Sequence, residues 1–446
     1  MKNYDVIFIG SGHACWHGAL ILKMLGKSVA LVERDLLGGT CTNYGCDAKI
    51  LLDSPFELKE ALDRYKGIGV TGDSQIDWTA LMQYKKQYIG AMPAALQGMF
   101  SQFGFDLIRG EAKFVDKNTI KVGEETYGAK YFVIGTGQTY IPMDIPGKEN
   151  FHDSREFLDL DVIPDHVTFV GAGIISMEFA SICLSLGEKV DIVVHSDKAL
   201  KQYPQEYVQV IIEKMKAQGA NFVWGANVSE IERTESGYVL KTKEGLNIET
   251  DYILIAVGRK ANVDGMDLDK IGIEYSDRGI KVDDHLRTSV KNIYASGDVI
   301  DKKIPKLTPT AEFESNYIAM DILNPLSGKI DYPAIPNLVC IAQVGVSVEE
   351  AEAHPELYRV EKKPAGATMS WLNKNQKDEH FTFIFDKKQR LVGAAVLSDD
   401  AGAYIDILTI VINQKLGVKE LQKMVFAFPT QTYGLMASLI PLFLKK

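Results

Sequence analysis

The chain has 446 residues, 46% hydrophobic and 24% charged, a balance that allows sizeable buried cores. Its net charge is −10 and no long basic run interrupts it, which argues against nucleic acid and anionic membranes as partners. At roughly 150 residues per domain, the length suggests about three domains, or two domains plus an interface module.

The first elements form a βαβ pattern. Tyr4 to Ile9 is a short β-type run, too short for the core of a signal peptide. It meets Gly10-Ser11-Gly12, then a helical stretch to Leu25, Gly26, and a second strand from Ser28 to Val32 that ends at Glu33. Gly10 allows the tight turn. Gly12 lets a pyrophosphate approach the helix N-terminus, where free N–H groups and the helix dipole favour anions. The third glycine of such a turn is replaced by Cys15, which is also small. Glu33 can accept hydrogen bonds from a ribose diol, which suits FAD. His13 and His17 lie beside this turn and are expected near the pyrophosphate or an interface.

Next comes Gly38-Gly39-Thr40-Cys41-Thr42-Asn43-Tyr44-Gly45-Cys46-Asp47-Ala48-Lys49. Two cysteines at this spacing can meet on a helical turn, within disulfide reach. A metal site would need further Cys or His ligands nearby, and none follows closely. The other cysteines are Cys15, Cys183 and Cys340, an odd and sparse set. That argues for a reducing cytoplasm and for a redox-active Cys41–Cys46 pair, the alternative being two buried thiols.

A second copy of the unit begins at Val167. Val167 to Val170 leads to Gly171-Ala172-Gly173, a helix to Leu186, Gly187, and the strand Lys189 to Val194. Gly10 to Gly26 and Gly171 to Gly187 are the same sixteen-residue step. Ser176 takes the third glycine position here. Where copy one has Glu33, copy two has Val194, followed by His195 and, further on, Lys201. Loss of the carboxylate removes repulsion of a 2′-phosphate, and the two basic residues could bind it. Copy two therefore leans to NADPH over NADH, although His195 is an imperfect cation at pH 7. Near the end, Leu435 to Leu444 is strongly apolar but shorter than a membrane span and carries Pro441. It reads as a buried terminal helix or a partner-facing segment, and no membrane partner is expected.

Taken together, these segments resemble the class I pyridine nucleotide–disulfide oxidoreductases, whose members include glutathione reductase, dihydrolipoamide dehydrogenase and mercuric reductase. The resemblance spans nearly the whole chain. It rests on Gly10-Ser11-Gly12, Glu33, Gly39-Thr40-Cys41 with Cys46, Ile134-Gly135-Thr136-Gly137, Gly171-Ala172-Gly173 with Glu178, Ala256-Val257-Gly258-Arg259, Ile293 to Asp298, and Leu307-Thr308-Pro309. It implies an α/β fold: two Rossmann-like nucleotide-binding domains, for FAD and NAD(P), plus a C-terminal α+β dimerisation domain. The implied boundaries are 1–148 and 260–330 for the two FAD segments, 149–259 for the NAD(P) domain and 331–446 for the interface domain of a homodimer. Gly10, Gly12 and Glu33 would hold the FAD adenosine and pyrophosphate, with Asp298 at the ribityl or phosphate region. Thr136, Gly137, Leu307, Thr308 and Pro309 would line the flavin. Gly171, Gly173, His195, Lys201, Gly258 and Arg259 would serve the nicotinamide cofactor. Lys49 would lie near flavin N5, paired with Glu178. Cys46 would be the flavin-side, charge-transfer thiolate and Cys41 the exposed thiol that meets substrate. A thiolate is the reactive form, and Lys49 offers positive charge near Cys46.

The C-terminal segment departs from the family. Its disulfide reductases usually carry His-Pro-Thr with a Glu five residues after the His, an acid–base pair that reaches across the dimer. Here Phe428 precedes Pro429-Thr430, and Tyr433 stands at the Glu position. Phe transfers no proton, and Tyr is a poor base at neutral pH. The stretch around Cys340 to Gly345 is shortened, Asp47-Ala48 replaces the usual apolar-Pro step, and no cysteine pair ends the chain. His380, on an apparent strand, is an unpromising substitute base. The favoured expectation is reduction, through Cys41 and Cys46, of a small electrophile that needs little proton help: an oxidised halogen or thiocyanate species, a soft metal ion or an activated disulfide. The alternatives are a conventional reductase of glutathione, coenzyme A or lipoamide disulfides, and a nucleotide-binding sensor flavoprotein.

Overall fold

A computed structural model describes residues 1–446 except Pro325, Ser327 and Lys446. The fold is mixed α/β. Strand Lys2–Ile9 lies between Val29–Glu33 and Glu125–Ile134, parallel to both. Its apolar run is buried because helices and strands cover both faces, which is why Val6 to Ile9 reads as continuous rather than alternating. Asp106–Arg109 extends the sheet on one side and two antiparallel strands, Thr119–Val122 and Ala112–Asp116, on the other. Ile293–Ala295 returns from far along the chain to pair in parallel with Glu125–Ile134.

The second unit is a four-stranded parallel sheet ordered Asn221–Trp224, Lys189–Val194, His166–Val170, Tyr252–Ile255. The two units repeat one another in detail. Gly10 N donates to Val32 O at 2.8 Å, and Gly171 N donates to Val193 O at 2.9 Å. Glu33 and Val194 therefore hold equivalent places, as their spacing from the glycines predicts. A two-stranded ladder, Gln138–Tyr140 with Arg259–Ala261, ties the chain entering the second unit to the chain leaving it.

The C-terminal part is a five-stranded antiparallel sheet with helices Ala401–Asn413 and Gln431–Leu439. The apolar tail does not form one long helix. It divides into Gln431–Leu439 and a short 3₁₀ turn, Ile440–Leu444, with Pro441 in the first turn, where its missing N–H costs nothing. Leu435, Met436, Leu439, Leu442 and Phe443 are buried against strands such as His380–Asp386. No helix among the described residues is long and apolar enough to cross a membrane.

Candidate active site

The first glycine turn is shaped by contacts that no side chain could share. Gly10 has φ +118°, and a Cβ there would lie 2.6 Å from Gly135 O. Gly39 has φ +69°, and its Cβ would lie 2.9 Å from Gly12 Cα. Ser11 donates from N and Oγ to Glu33 Oε2 at 3.0 and 2.7 Å, while Asp35 N donates to Oε1 at 2.8 Å. The carboxylate is thus held at the strand end, facing the turn. Thr136 Oγ1 is buried there with no partner. A backbone-only cradle, a fixed carboxylate and a free buried hydroxyl fit the pyrophosphate, ribose and ring of FAD. Gly10→Ala is expected to yield protein with little or no bound flavin, read as flavin absorbance per mole of folded protein; full flavin content would show that the turn tolerates a Cβ.

Cys15 occupies the third glycine position and is fully buried, its Sγ seated where a Cβ on Gly135 would go. Burial pushes its thiol far up, so it is an inert core residue. The close approach has moved to Gly18, whose Cβ would lie 2.2 Å from Ser315 O. Helix His13–Met24 therefore packs tightly on helix Thr308–Leu323, and Gly18 N donates to Ser315 Oγ at 2.9 Å.

The cysteine pair does not share one helix. Cys41 lies in helix Gly39–Tyr44 and Cys46 opens helix Cys46–Asp63, with Gly45 breaking the chain between them at φ −142°, ψ −117°. Five residues along an unbroken helix face away from each other. The break turns the two thiols together, and they hydrogen-bond. A Cβ at Gly45 would press on Thr40 O at 3.0 Å. Asn43 Nδ2 pins the loop through Leu37 O and Gly39 O, both at 2.9 Å.

Both cysteines are free thiols. The Cys41 hydrogen bond holds Cys46 down to about 6, helped by Thr308, whose Oγ1 is 3.7 Å from Cys46 Sγ, and by the charge of Lys49. The same bond and burial push Cys41 far up. Cys46 is therefore the thiolate and Cys41 the proton donor. Cys46 is exposed and Cys41 half-buried. Cys46 sits on the first turn of its helix beside Thr308, which starts another helix, so two helix N-termini face the thiolate.

Lys49 Nζ lies 2.6 Å from Glu178 Oε1, joining the helix after the cysteines to the helix after the second glycine turn. The side chains are 129 residues apart in sequence, and both are largely buried. In the second turn, Gly171 has φ +105° and its Cβ would lie 2.5 Å from Ala256 O, repeating the Gly10 contact. Gly173 opens helix Ile174–Leu186, and Ser176 is fully buried one turn on. Gly258 has φ +131°, and Arg259 Nη2 donates to Gln138 O at 3.3 Å. Val194 is buried, while His195 and Lys201 are exposed beyond the strand.

Asp298 is half-buried on the short turn Gly297–Val299. Leu307 caps helix Thr308–Leu323, with Pro309 in its first turn. One buried cluster beside that turn carries no motif: Glu314 accepts from Gly297 N at 2.6 Å and from Tyr332 O–H at 2.7 Å, and pairs with the buried Lys302. Phe428 and Tyr433 stand together in the C-terminal part, 72% and 43% exposed, with ring centroids 5.2 Å apart edge to face. His380 is on strand His380–Asp386, beside Tyr207. Among the described residues, no group of three or more His, Cys, Asp or Glu side chains could hold a metal ion.

Two family matches divide the chain: Pyridine nucleotide-disulphide oxidoreductase over residues 4–315, and its dimerisation domain over 338–437. A mercuric reductase of Bacillus cereus is 30% identical over 97% of this chain and 70% of its own. A dihydrolipoyl dehydrogenase of Staphylococcus aureus is 30% identical over 96% of this chain and 94% of its own. The Cu(II) complex of the HOCl-induced flavoprotein disulfide reductase RclA from Escherichia coli superposes with a TM-score of 0.88, at 25% identity, over 99% of this chain and all of that one.

Proposed function

The chain belongs to the pyridine nucleotide-disulphide oxidoreductases, and on that premise we propose that it reduces a small electrophilic oxidant through Cys41 and Cys46. The family's enzymes use FAD and a pyridine nucleotide. Bound FAD would supply hydride acceptance from the nicotinamide and two-electron delivery to the disulfide. Gly10, Gly12, Ser11 and Glu33 would hold its nucleotide half, and Asp298, Thr136, Gly137 and Leu307 to Pro309 would line the rest. Lys49 and Glu178 form a fixed ion pair that orients the ammonium beside the dithiol. Reduction leaves a Cys46 thiolate and a Cys41 thiol; Cys41 then attacks the oxidant, and Cys46 closes the disulfide.

The observation that carries the substrate class is the aromatic pair Phe428 and Tyr433, where family members place a proton-transferring His and Glu. A leaving thiolate needs such a proton; a halide, a thiocyanate or a soft metal ion accepting electrons does not. The relatives' names point the same way, since one is a mercuric reductase and another an HOCl-induced reductase seen with Cu(II). The dimerisation domain supports a homodimer, and an odd, sparse set of five cysteines suits a reducing cytoplasm.

A substrate panel tests this: Hg(II), Cu(II) and chloramines against glutathione, coenzyme A and lipoamide disulfides. Turnover confined to the first group is expected. Faster turnover of the disulfides would replace this reading with a conventional disulfide reductase. NADPH is the preferred reductant, because the strand end that carries Glu33 in the first unit carries Val194 here, and His195 and Lys201 are exposed in the segment that follows it. Lys201→Ala is expected to lower kcat/KM for NADPH by about tenfold, the worth of one charge-assisted hydrogen bond, and to leave NADH unchanged. Equal losses for both cofactors would refute the phosphate contact.

A further inference from the structure

The dithiol depends on a pivot that cannot hold itself. Gly45 separates the helix of Cys41 from the helix of Cys46, and glycine carries no side chain to fix its own backbone. The angle between the two helices decides whether the thiols meet, so neighbouring side chains must set it. Asn43 secures the chain on the Cys41 side. The last residue before the pivot is Tyr44, and it is held by contacts that no motif announces.

Tyr44 Oη donates to Asp35 Oδ1 at 3.1 Å. The Arg155 guanidinium lies over the Tyr44 ring, 3.5 Å from its centroid, and Arg155 Nη1 donates to Asp35 Oδ2 at 2.7 Å. Both carboxylate oxygens are thus engaged, and the three side chains form a closed clamp. Each end of it is anchored. Asp35 N donates to Glu33 Oε1 at 2.8 Å, and Arg109 Nη1 donates to Asp35 O at 2.6 Å. Arg155 stands on the short helix Ser154–Phe157, which belongs to the second unit. Asp153 and Glu156 cap that helix reciprocally. Phe157 is fully buried against Phe179, with ring centroids 4.5 Å apart, and His152 N donates to Ile253 O at 2.8 Å. The guanidinium is therefore presented from a rigid mount to the loop between the cysteines.

Docking of the second unit does not account for the clamp. The same segment is already tied to helix Trp78–Gln102 of the first unit, by Trp78 Nε1 donating to Leu160 O at 2.9 Å and by the Lys85–Asp159 pair. Lys49 and Glu178 add a further tie. Direct charge does not account for it either. The groups that act on Cys46 are Cys41, Thr308, Asp47 and Lys49, and those that act on Cys41 are Cys46, Thr308 and Asp47. Arg155 belongs to neither set. It and Asp35 are the charged groups that face Tyr44. Whatever Arg155 does to the dithiol, it does by geometry, through Tyr44.

We propose that Arg155 and Tyr44 are positioning residues for the dithiol. Their clamp fixes the turn at Gly45, and with it the hydrogen bond from Cys41 to Cys46, so a side chain of the second unit sets how readily the pair presents its Cys46 thiolate. The Arg155 and Asp35 side chains are 47% and 42% exposed, which makes the clamp an adjustment of a few-fold. Cys41, Thr308 and Lys49 supply the rest.

This inference rests on the dithiol reading above. The flavin-loaded enzyme is reduced with NADPH in the absence of oxygen, and alkylation of Cys46 by iodoacetamide is followed from pH 5 to 9 by peptide mass. In the native enzyme the rate should rise through about pH 6, since the thiolate is present above that value and lost below it. Arg155→Met keeps an unbranched chain but loses the charge and the flat stack. At pH 5 it should be alkylated about three- to tenfold more slowly, the worth of an exposed cation–π contact with its ion pair, and the rise should move to higher pH. Tyr44→Phe keeps the ring under the guanidinium and should lose less. In a Tyr44→Leu background, Arg155→Met should add nothing, because the two side chains act through one contact. Flavin content per folded protein should stay at the native level throughout. A native alkylation profile in Arg155→Met would overturn the proposal. So would a full further loss on top of Tyr44→Leu, which would mean that Arg155 acts by another route. A parallel loss of flavin would also overturn it, by making the clamp part of the nucleotide cradle. The two readings fail separately: native turnover by Cys41→Ser would end the dithiol reading, whereas the clamp stands or falls on the alkylation of Cys46.

Discussion

Cys46→Ser is expected to reduce oxidant-driven NAD(P)H consumption to background, a loss of order 10⁴-fold, as for other groups on which a covalent cycle depends. Serine keeps the hydrogen bond to Thr308 but cannot form the disulfide, so Cys41 has no partner to release its adduct. Cys41→Ala should be as inactive for a different reason. It removes the S–H donor that holds Cys46 near 6, and the remaining thiol should titrate closer to its ordinary value of about 8.5. The sign follows from the direction of the shift. In the native dithiol the Cys46 thiolate is present above about pH 6 and is lost as the pH falls through that value. In Cys41→Ala it should be largely protonated at pH 7. Thiolate absorbance of the reduced proteins, titrated from pH 5 to 9, measures this. Identical midpoints in the two proteins would show that Thr308 and Lys49, rather than Cys41, set the acidity. Full turnover by Cys46→Ser would remove the dithiol from the electron path.

Much of this site is legible in the sequence because its physics is local. A glycine that must adopt positive φ against a neighbouring carbonyl is visible as Gly10 or Gly171, and its sixteen-residue distance to the next glycine fixes the intervening helix. Glu33 and Val194 could be compared before any fold was known, because strand ends keep their register. The cysteine spacing was legible, but its geometry was not. A helical turn was the natural reading, and only the backbone at Gly45 shows that two helices meet there. The long helix Trp78–Gln102 left little trace, since its outer face is mixed and Gly90, Pro93 and Gly98 interrupt it. The least legible features join distant segments. Lys49 and Glu178 were paired by family resemblance alone. Glu314 gives no sign in sequence that it is buried. Glu314 lies on helix Thr308–Leu323, which packs against Gly18, a contact nearly 300 residues long in sequence.

Glu314 carries the largest expected cost to stability. Its carboxylate is fully buried and answers three donors: Gly297 N, Tyr332 O–H and Lys302, itself 7% exposed. Glu314→Ala would leave a buried ammonium uncompensated and two further donors unpaired. Breaking a buried pair from one side costs about 3–5 kcal/mol, so the denaturation midpoint should fall steeply. The effect should reach the cofactor. Gly297 has φ +76° and a Cβ there would strike Ala14 at 2.6 Å, so its turn fits one position between the two helices. Glu314 holds that turn, and the turn carries Asp298. Loss of the carboxylate should therefore loosen FAD as well as the fold, and added FAD should recover part of the lost stability by binding only the native state. Glu314→Gln keeps the shape and an acceptor for Gly297 N, and should lose less. Urea denaturation of the three proteins, with and without excess FAD, distinguishes the possibilities. A midpoint for Glu314→Ala equal to that of the native protein would mean that Lys302 escapes to solvent and that the pair contributes nothing. An FAD-independent loss would mean that the Gly297 turn holds its place without Glu314, and that stability and cofactor binding are separate properties of this domain.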